Sequence, residues 1–280
     1  MTDRNNVINE RIIRPRNGLV PINLEELWRY RELFGFLTWR DVIVRYKQTA
    51  IGILWAVLQP LLTMVVFTVV FGKLAKFPSH DVPYAIMTFA GLLPWQFFSN
   101  ALTRGSDSVV GAGNMVRKIY FPRLIIPASA TLGAVVDFLI AFFLLLVLMV
   151  YYGVDFRIHF LLLPLFFMVA FMTAFGASLW FSALNVKYRD VKHIMPFIVK
   201  MGIYVSPVGF MSSIIPEKWR FLYSLNPMVG VIDGFRWAIL GPRFEPYWPG
   251  FWISLSMVTL LLVTGAFYFR LFEKTFADVI

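Results

Sequence analysis

Few residues in this chain could do chemistry, and their spacing limits what that chemistry could be. The three histidines, His80, His159 and His193, are far apart in sequence, and none sits at metal-ligand spacing from another. No carboxylate cluster accompanies them, and cysteine is absent altogether. The nucleophile, base and metal sets that hydrolysis or group transfer needs are therefore not in view. A phosphate-cradling loop, G-x-x-x-x-G-K-[ST], is missing too, and Gly72-Lys73-Leu74 is the nearest fragment. The sequence speaks against an enzyme and for no cofactor bound by this chain. Any active transport must draw on an ion gradient or on a separate subunit.

Two ionisable residues stand inside otherwise apolar stretches, Asp137 and Lys200. Charges in such places are costly and are functional candidates by default. They could form a proton-coupled pair, or they could serve only structural pairing and hydrogen bonding between helices. Lys200 could also attract an anionic substrate, or snorkel towards the cytoplasm. Trp55, Phe67, Phe71 and Tyr204 lie on segments that also carry Gly, Pro or Lys. Aromatic faces stack on the C–H face of a sugar and let it slide, so these four are candidate channel-lining residues. Ordinary lipid or core contact is the alternative for each.

Two local patterns suggest docking. After Gly111 and Gly113, the run Asn114, Met115, Val116, Arg117, Lys118, Ile119, Tyr120 and Phe121 ends at Pro122. It predicts a short basic-apolar helical turn able to seat in a partner's groove. An ordinary basic loop anchored by interfacial aromatics reads equally well. Near the N-terminus, Asn23 offers a cap with Glu26 three residues on. Leu24, Leu27, Trp28, Phe34 and Leu37 then recur at helical spacing among charged residues, with Gly35 as a candidate bend. Such a helix lies in a membrane interface or packs on a partner.

The elements that must position these residues are set by composition. Of 280 residues, 59% are hydrophobic and 15% charged, and the mean hydropathy is +0.69. A soluble domain carries about a quarter charged residues, so the solvent here is lipid. Continuous apolar runs predict an all-α membrane protein with six transmembrane helices, near 50–71, 84–102, 124–152, 161–184, 194–211 and 251–269. Residues 1–49 form a cytoplasmic tail with the amphipathic interface helix, and residues 50–280 form the membrane domain. Between spans five and six, 219–225 and 228–240 read as short re-entrant helices of the outer leaflet. Lys and Arg concentrate before the first span, in the loops after the second and fourth, and in the tail. That places both termini in the cytoplasm. The formal charge of +10 therefore reports topology and contact with anionic membrane lipids, not nucleic acid. No cleavable signal peptide is visible.

Four segments in order resemble the permease subunit of polysaccharide ABC exporters, within the ABC-2 class. They are residues 39–49 leading to Leu54, Trp55, Gln59 and Pro60; residues 91–98 with Leu93, Pro94 and Trp95; residues 114–123; and residues 185–191 with Asn185, Tyr188, Arg189 and Asp190. The resemblance implies a bacterial inner-membrane permease that pairs with a second copy of itself. It also implies two copies of a separate ABC ATPase subunit, through which ATP and Mg would act. The cargo it implies is a lipid-linked polysaccharide, O-antigen-like, with capsular polysaccharide or teichoic acid as alternatives within the family. The 114–121 turn would be the ATPase-coupling element, the N-terminal helix the interface helix, and the first and fifth spans the channel lining. Outside the family, the rival is a proton-coupled secondary transporter built on Asp137 and Lys200.

Overall fold

The computed structural model describes residues 24–47 and 52–279, and these are helical with short connections and no strand. The expectations for residues 1–23 and for 48–51 fall outside the described residues. Two N-terminal helices, α1 (Leu24–Arg29) and α2 (Arg31–Tyr46), meet at Tyr30. The chain therefore breaks at Tyr30 and runs straight through Gly35, the candidate bend.

Helix α3 (Gly52–Phe67) contains Pro60 and passes into a π-helical stretch, Thr68–Leu74. The wider turn shifts the helical register of its residues, a feature common near functional sites. Helix α4 (Tyr84–Gly111) is followed by the short α5 (Gly113–Lys118) and the long α6 (Ile125–Tyr151). Helix α7 (Leu163–Lys187) has a proline in its first turn, where the missing N–H costs nothing. Helix α8 (Val191–Val205) stops because Pro207 forces Ser206 into extended backbone. Next come α9 (Glu217–Tyr223) and α10 (Pro227–Leu240). The Asn226 side chain accepts from the Met228 N–H at 3.0 Å and caps α10. Gly241 ends it with φ 87°, a conformation that favours glycine. Helix α11 (Trp248–Glu273) and α12 (Phe276–Val279) complete the chain.

Helix α4 is the hub, packed against α3, α6, α7, α8 and α10. Its run from Ile86 to Trp95 is buried without interruption. Helix α7 is held between α4 and α11, and α10 wedges among α4, α7 and α11. The main core is aromatic, with Phe138 stacked on Phe167 at 4.2 Å and Phe97, Phe166 and Phe235 around them. At the opposite helix ends a second core gathers Val116, Phe121, Leu179, Phe269 and Phe276, with Leu27 and Leu33 of α1 and α2 on its edge.

Four helical segments are long and apolar enough to cross a bilayer: Leu54–Leu74, Ile125–Tyr151, Ile158–Lys187 and Trp248–Glu273. They match four of the six expected spans. The second expected span falls on α4, a helix outside those four that runs past residue 102 to Gly111, taking in Arg104 and Asp107. Arg104, expected in a loop, is thus a helix residue. The fifth falls on α8, which at 15 residues is shorter than those four. The two short helices expected between spans five and six are α9 and α10, and α10 is buried along nearly its whole length.

Candidate functional site

The intramembrane acid finds its partners close by, and they are not the lysine. The Asp137 carboxylate on α6 accepts from the Arg45 guanidinium and the Tyr46 hydroxyl of α2, and from the Arg104 guanidinium of α4. Three helices converge on one carboxylate. The side chain of Asp137 is 13% exposed, deep enough for pairing to matter. Lys200 lies exposed on α8. The residue pair imagined for proton coupling is therefore not formed. Beside the cluster is a cleft of ≈ 280 Å³ lined by Trp55, Gln59, Gln96, Asn100 and the two arginines. Sequence reading missed Arg45, Tyr46 and Arg104 as partners; the available signal was an arginine just before the first expected span and another just after the second, with a lone acid inside the third.

Three of the four candidate lining aromatics come together. Phe67 stacks with Tyr204 at 6.1 Å and tilts against Phe71 at 5.2 Å. Gly209 permits this approach, since a Cβ there would stand 2.7 Å from both phenyl rings. Trp55 sits apart, in the cleft beside Asp137. Phe67 is buried, whereas Tyr204 and Trp55 are exposed.

The chain after α8 is pinned by a residue of the 228–240 segment that the sequence reading did not single out. Arg236 of α10, 1% exposed, donates to the carbonyls of Met87 at 3.2 Å, Phe210 at 2.6 Å and Val208 at 2.7 Å. Nearby, the Tyr84 hydroxyl donates to the Gly209 carbonyl. The backbone groups freed where α8 stops are thus satisfied within the protein, as a lipid solvent demands. An arginine surrounded by apolar neighbours on α10 was the signal available in the sequence.

The predicted docking turn forms as α5. Asn114, Arg117, Lys118, Ile119 and Tyr120 are exposed, and Met115 is half-buried. Phe121 turns inward, at 4% exposure, so it anchors the turn and is not presented. The turn is fastened on two sides. The Tyr120 hydroxyl donates to Glu26 at 3.4 Å, and the Arg123 N–H donates to Glu273 at 3.1 Å. Partial burial and the Glu26 carboxylate push the Tyr120 phenol above its ordinary pKa, so it stays neutral near pH 7. On the N-terminal helices Leu27, Phe34 and Leu37 face the bundle, while Trp28, at 71% exposure, points out with Phe36 and Trp39. The expected single apolar face is therefore two. The Leu24 side chain lies outside the described set.

No group of three His, Cys, Asp or Glu residues among the described residues is placed to hold a metal. His80 and His159 instead lie against aromatic rings, Phe244 at 5.8 Å and Trp237 at 4.6 Å.

The chain is 27% identical over 252 residues to an O-antigen export system permease protein RfbA of Klebsiella pneumoniae, covering 89% of this chain and 95% of that protein. It is 28% identical over 245 residues to the protein of the same name from Myxococcus xanthus, covering 87% and 93%. Similarity extends to the polysialic acid transport protein KpsM of Escherichia coli, 25% identical over 206 residues, covering 72% of this chain and 78% of that one. The family described as ABC-2 type transporter matches residues 32–240, most of the chain, and the protein is a multi-pass membrane permease belonging to that family.

Proposed function

We propose that this chain is the membrane subunit of an ATP-driven exporter that moves a lipid-linked, O-antigen-like polysaccharide across the bacterial inner membrane. ATP with Mg is hydrolysed by a separate ABC ATPase, and two copies of the chain enclose the passage. The observation that carries the reading is end-to-end similarity to O-antigen export permeases, which spans 95% of one relative's length. The geometry of α5 supports the coupling role. Ile119 and Tyr120 are exposed apolar groups flanked by Arg117 and Lys118, on a turn anchored from behind by Val116 and Phe121. A partner that pushes on this turn pushes through α4, α6 and the C-terminal helix. On this reading α4 and α8 are membrane spans, which brings the total to six with both termini in the cytoplasm. Helix α4 tolerates its polar residues because it is sheathed by other helices, and α8 because a second copy and the passage face it.

The proton-coupled rival is weakened by the observed pairing of Asp137 with Arg45 and Arg104. The deciding experiment is co-expression with the cognate ATPase, purification through a tag on this chain, and measurement of ATP hydrolysis and glycan export in vesicles. Tyr120→Asp and Ile119→Asp should release the ATPase from the permease and abolish export. Export that persists without any ATPase, driven by a proton gradient, would overturn the reading.

A further inference from the structure

A second cavity, far in sequence from Asp137 and from the docking turn, lies between α9, α10 and α11 with a volume of ≈ 300 Å³. That is the lower end of the range for ligand sites, about 300–1,000 Å³, so it suits a single small ring better than a chain. Its polar groups are unusual for the interior of a membrane bundle. Asp233 of α10 is only 8% exposed, with the Ser212 hydroxyl on its carboxylate. Its neighbour one turn along, Arg236, directs its guanidinium to three backbone carbonyls instead. The Tyr223 hydroxyl is buried and finds no hydrogen-bond partner among the described residues. Glu245 adds a second carboxylate at the rim and accepts from the Trp248 indole at 2.9 Å. Arg220 is held over the Tyr247 ring at 6.0 Å and donates to the Ile215 carbonyl at 3.1 Å.

A buried hydroxyl left unpaired and a buried carboxylate with spare acceptor capacity are both costly unless a ligand completes them. Carboxylates accept from vicinal hydroxyls, a phenol both donates and accepts, and Tyr247 adds an aromatic face at the rim. We infer that this cavity is a subsite for one neutral hexose unit of a glycan. The inference deepens the exporter reading and rests on it for the source of the sugar. With two lining carboxylates against one guanidinium, a uronic or sialic acid is disfavoured by charge. A divalent cation fits poorly, because it needs six or more oxygen ligands and no trio of acids gathers here among the described residues. An acyl chain would leave the polar groups uncompensated.

The test uses the full chain with its ATPase in lipid nanodiscs and saturation-transfer NMR. The probes are the methyl glycosides of mannose, galactose and glucose, and methyl glucuronide. At least one neutral glycoside should bind in the millimolar range, with the glucuronide silent. Tyr223→Phe removes one oxygen that has no partner among the described residues, so it should leave Tm unchanged and weaken binding about fivefold, the loss of one hydrogen bond. Asp233→Asn should weaken binding at least as much. If no neutral glycoside binds while the same preparation exports glycan, the subsite fails and the exporter reading stands. Binding that both variants leave unchanged puts the sugar elsewhere and also overturns the inference. Glucuronide binding as strong as that of the neutral sugars overturns the stated specificity. If the sugar binds as predicted but the preparation exports no glycan, the subsite stands and the exporter reading falls.

Discussion

At the scale of single residues, the decisive contrast is between the two charges that the sequence placed inside the membrane. Asp137 is answered by two guanidinium groups and a phenol from two other helices, whereas Lys200 is exposed on α8. Removing one member of a buried ion cluster leaves uncompensated charge and costs about 3–5 kcal/mol. Asp137→Ala should therefore lower the unfolding free energy by roughly that amount, read as a marked drop in Tm in detergent. Lys200→Gln should shift stability by no more than about 0.5 kcal/mol. This contrast also limits what loss of transport in an Asp137 variant can mean, since a collapsed α2–α4–α6 junction would abolish transport by any mechanism. Arg236 behaves similarly but through hydrogen bonds. Arg236→Lys keeps the charge yet cannot reach the Met87, Val208 and Phe210 carbonyls together, because an ammonium group lacks the planar fork of the guanidinium. The lysine variant should lose stability nearly as far as Arg236→Met, measured by the same thermal unfolding.

At the scale of elements, helix contacts are set by glycines that are not alike. Helices α7 and α11 cross where Gly176 and Gly265 meet, and a Cβ on Gly265 would stand 2.5 Å from the Gly176 carbonyl oxygen. That obstacle is backbone, so the axes must part. Gly265→Ala should destabilise by about 1–3 kcal/mol, the usual cost of overpacking. At Gly35, within α2, an added Cβ would meet nothing within 4 Å, and the residue takes helical backbone that alanine also adopts. Gly35→Ala should stabilise by about 0.4–1 kcal/mol, and parallel unfolding curves of the two variants should diverge in opposite directions. These crossings show why some of the fold was legible in the sequence and some was not. The ends of α6 and the start of α7 follow from hydropathy and proline placement, so reading them needs only local information. The end of α4 does not, because hydropathy falls at Arg104 while the helix continues to Gly111. Its charge is answered by Asp137, 33 residues away in sequence. Likewise the turn at 114–121 was legible from Gly and Pro, but the inward side of Phe121 depends on Phe269 and Phe276 at the far end of the chain. The sugar-sized cavity was not legible either, since its lining comes from α9, α10, α11 and the segments around them, and their relative placement is set by packing on α4 and α7.

At the scale of the molecule, the exposed faces indicate which side meets lipid and which side meets something else. Helices α3 and α8 expose long apolar rows, including Leu62, Val66 and Val70 on the first segment and Phe197, Met201 and Tyr204 on the second. Helix α6 exposes Leu139, Phe143 and Val147, a row without a charge. Lipid can cover the α6 row as it stands. The α8 row is different, because Lys200 sits within it and a charge facing acyl chains is expensive. On the proposed reading, a water-filled passage between two copies would remove that cost and leave Tyr204 at its wall. The chain contains no cysteine, so single-cysteine variants test the arrangement without background. Met201→Cys, on the α8 face, should give a covalent dimer with a short bis-maleimide linker in native membranes. Phe143→Cys, on the uncharged α6 row, should stay monomeric under the same conditions. A dimer formed through Phe143→Cys and not through Met201→Cys would place the second copy on α6. Lys200 would then need another explanation, and α3 and α8 could not be the walls of the passage.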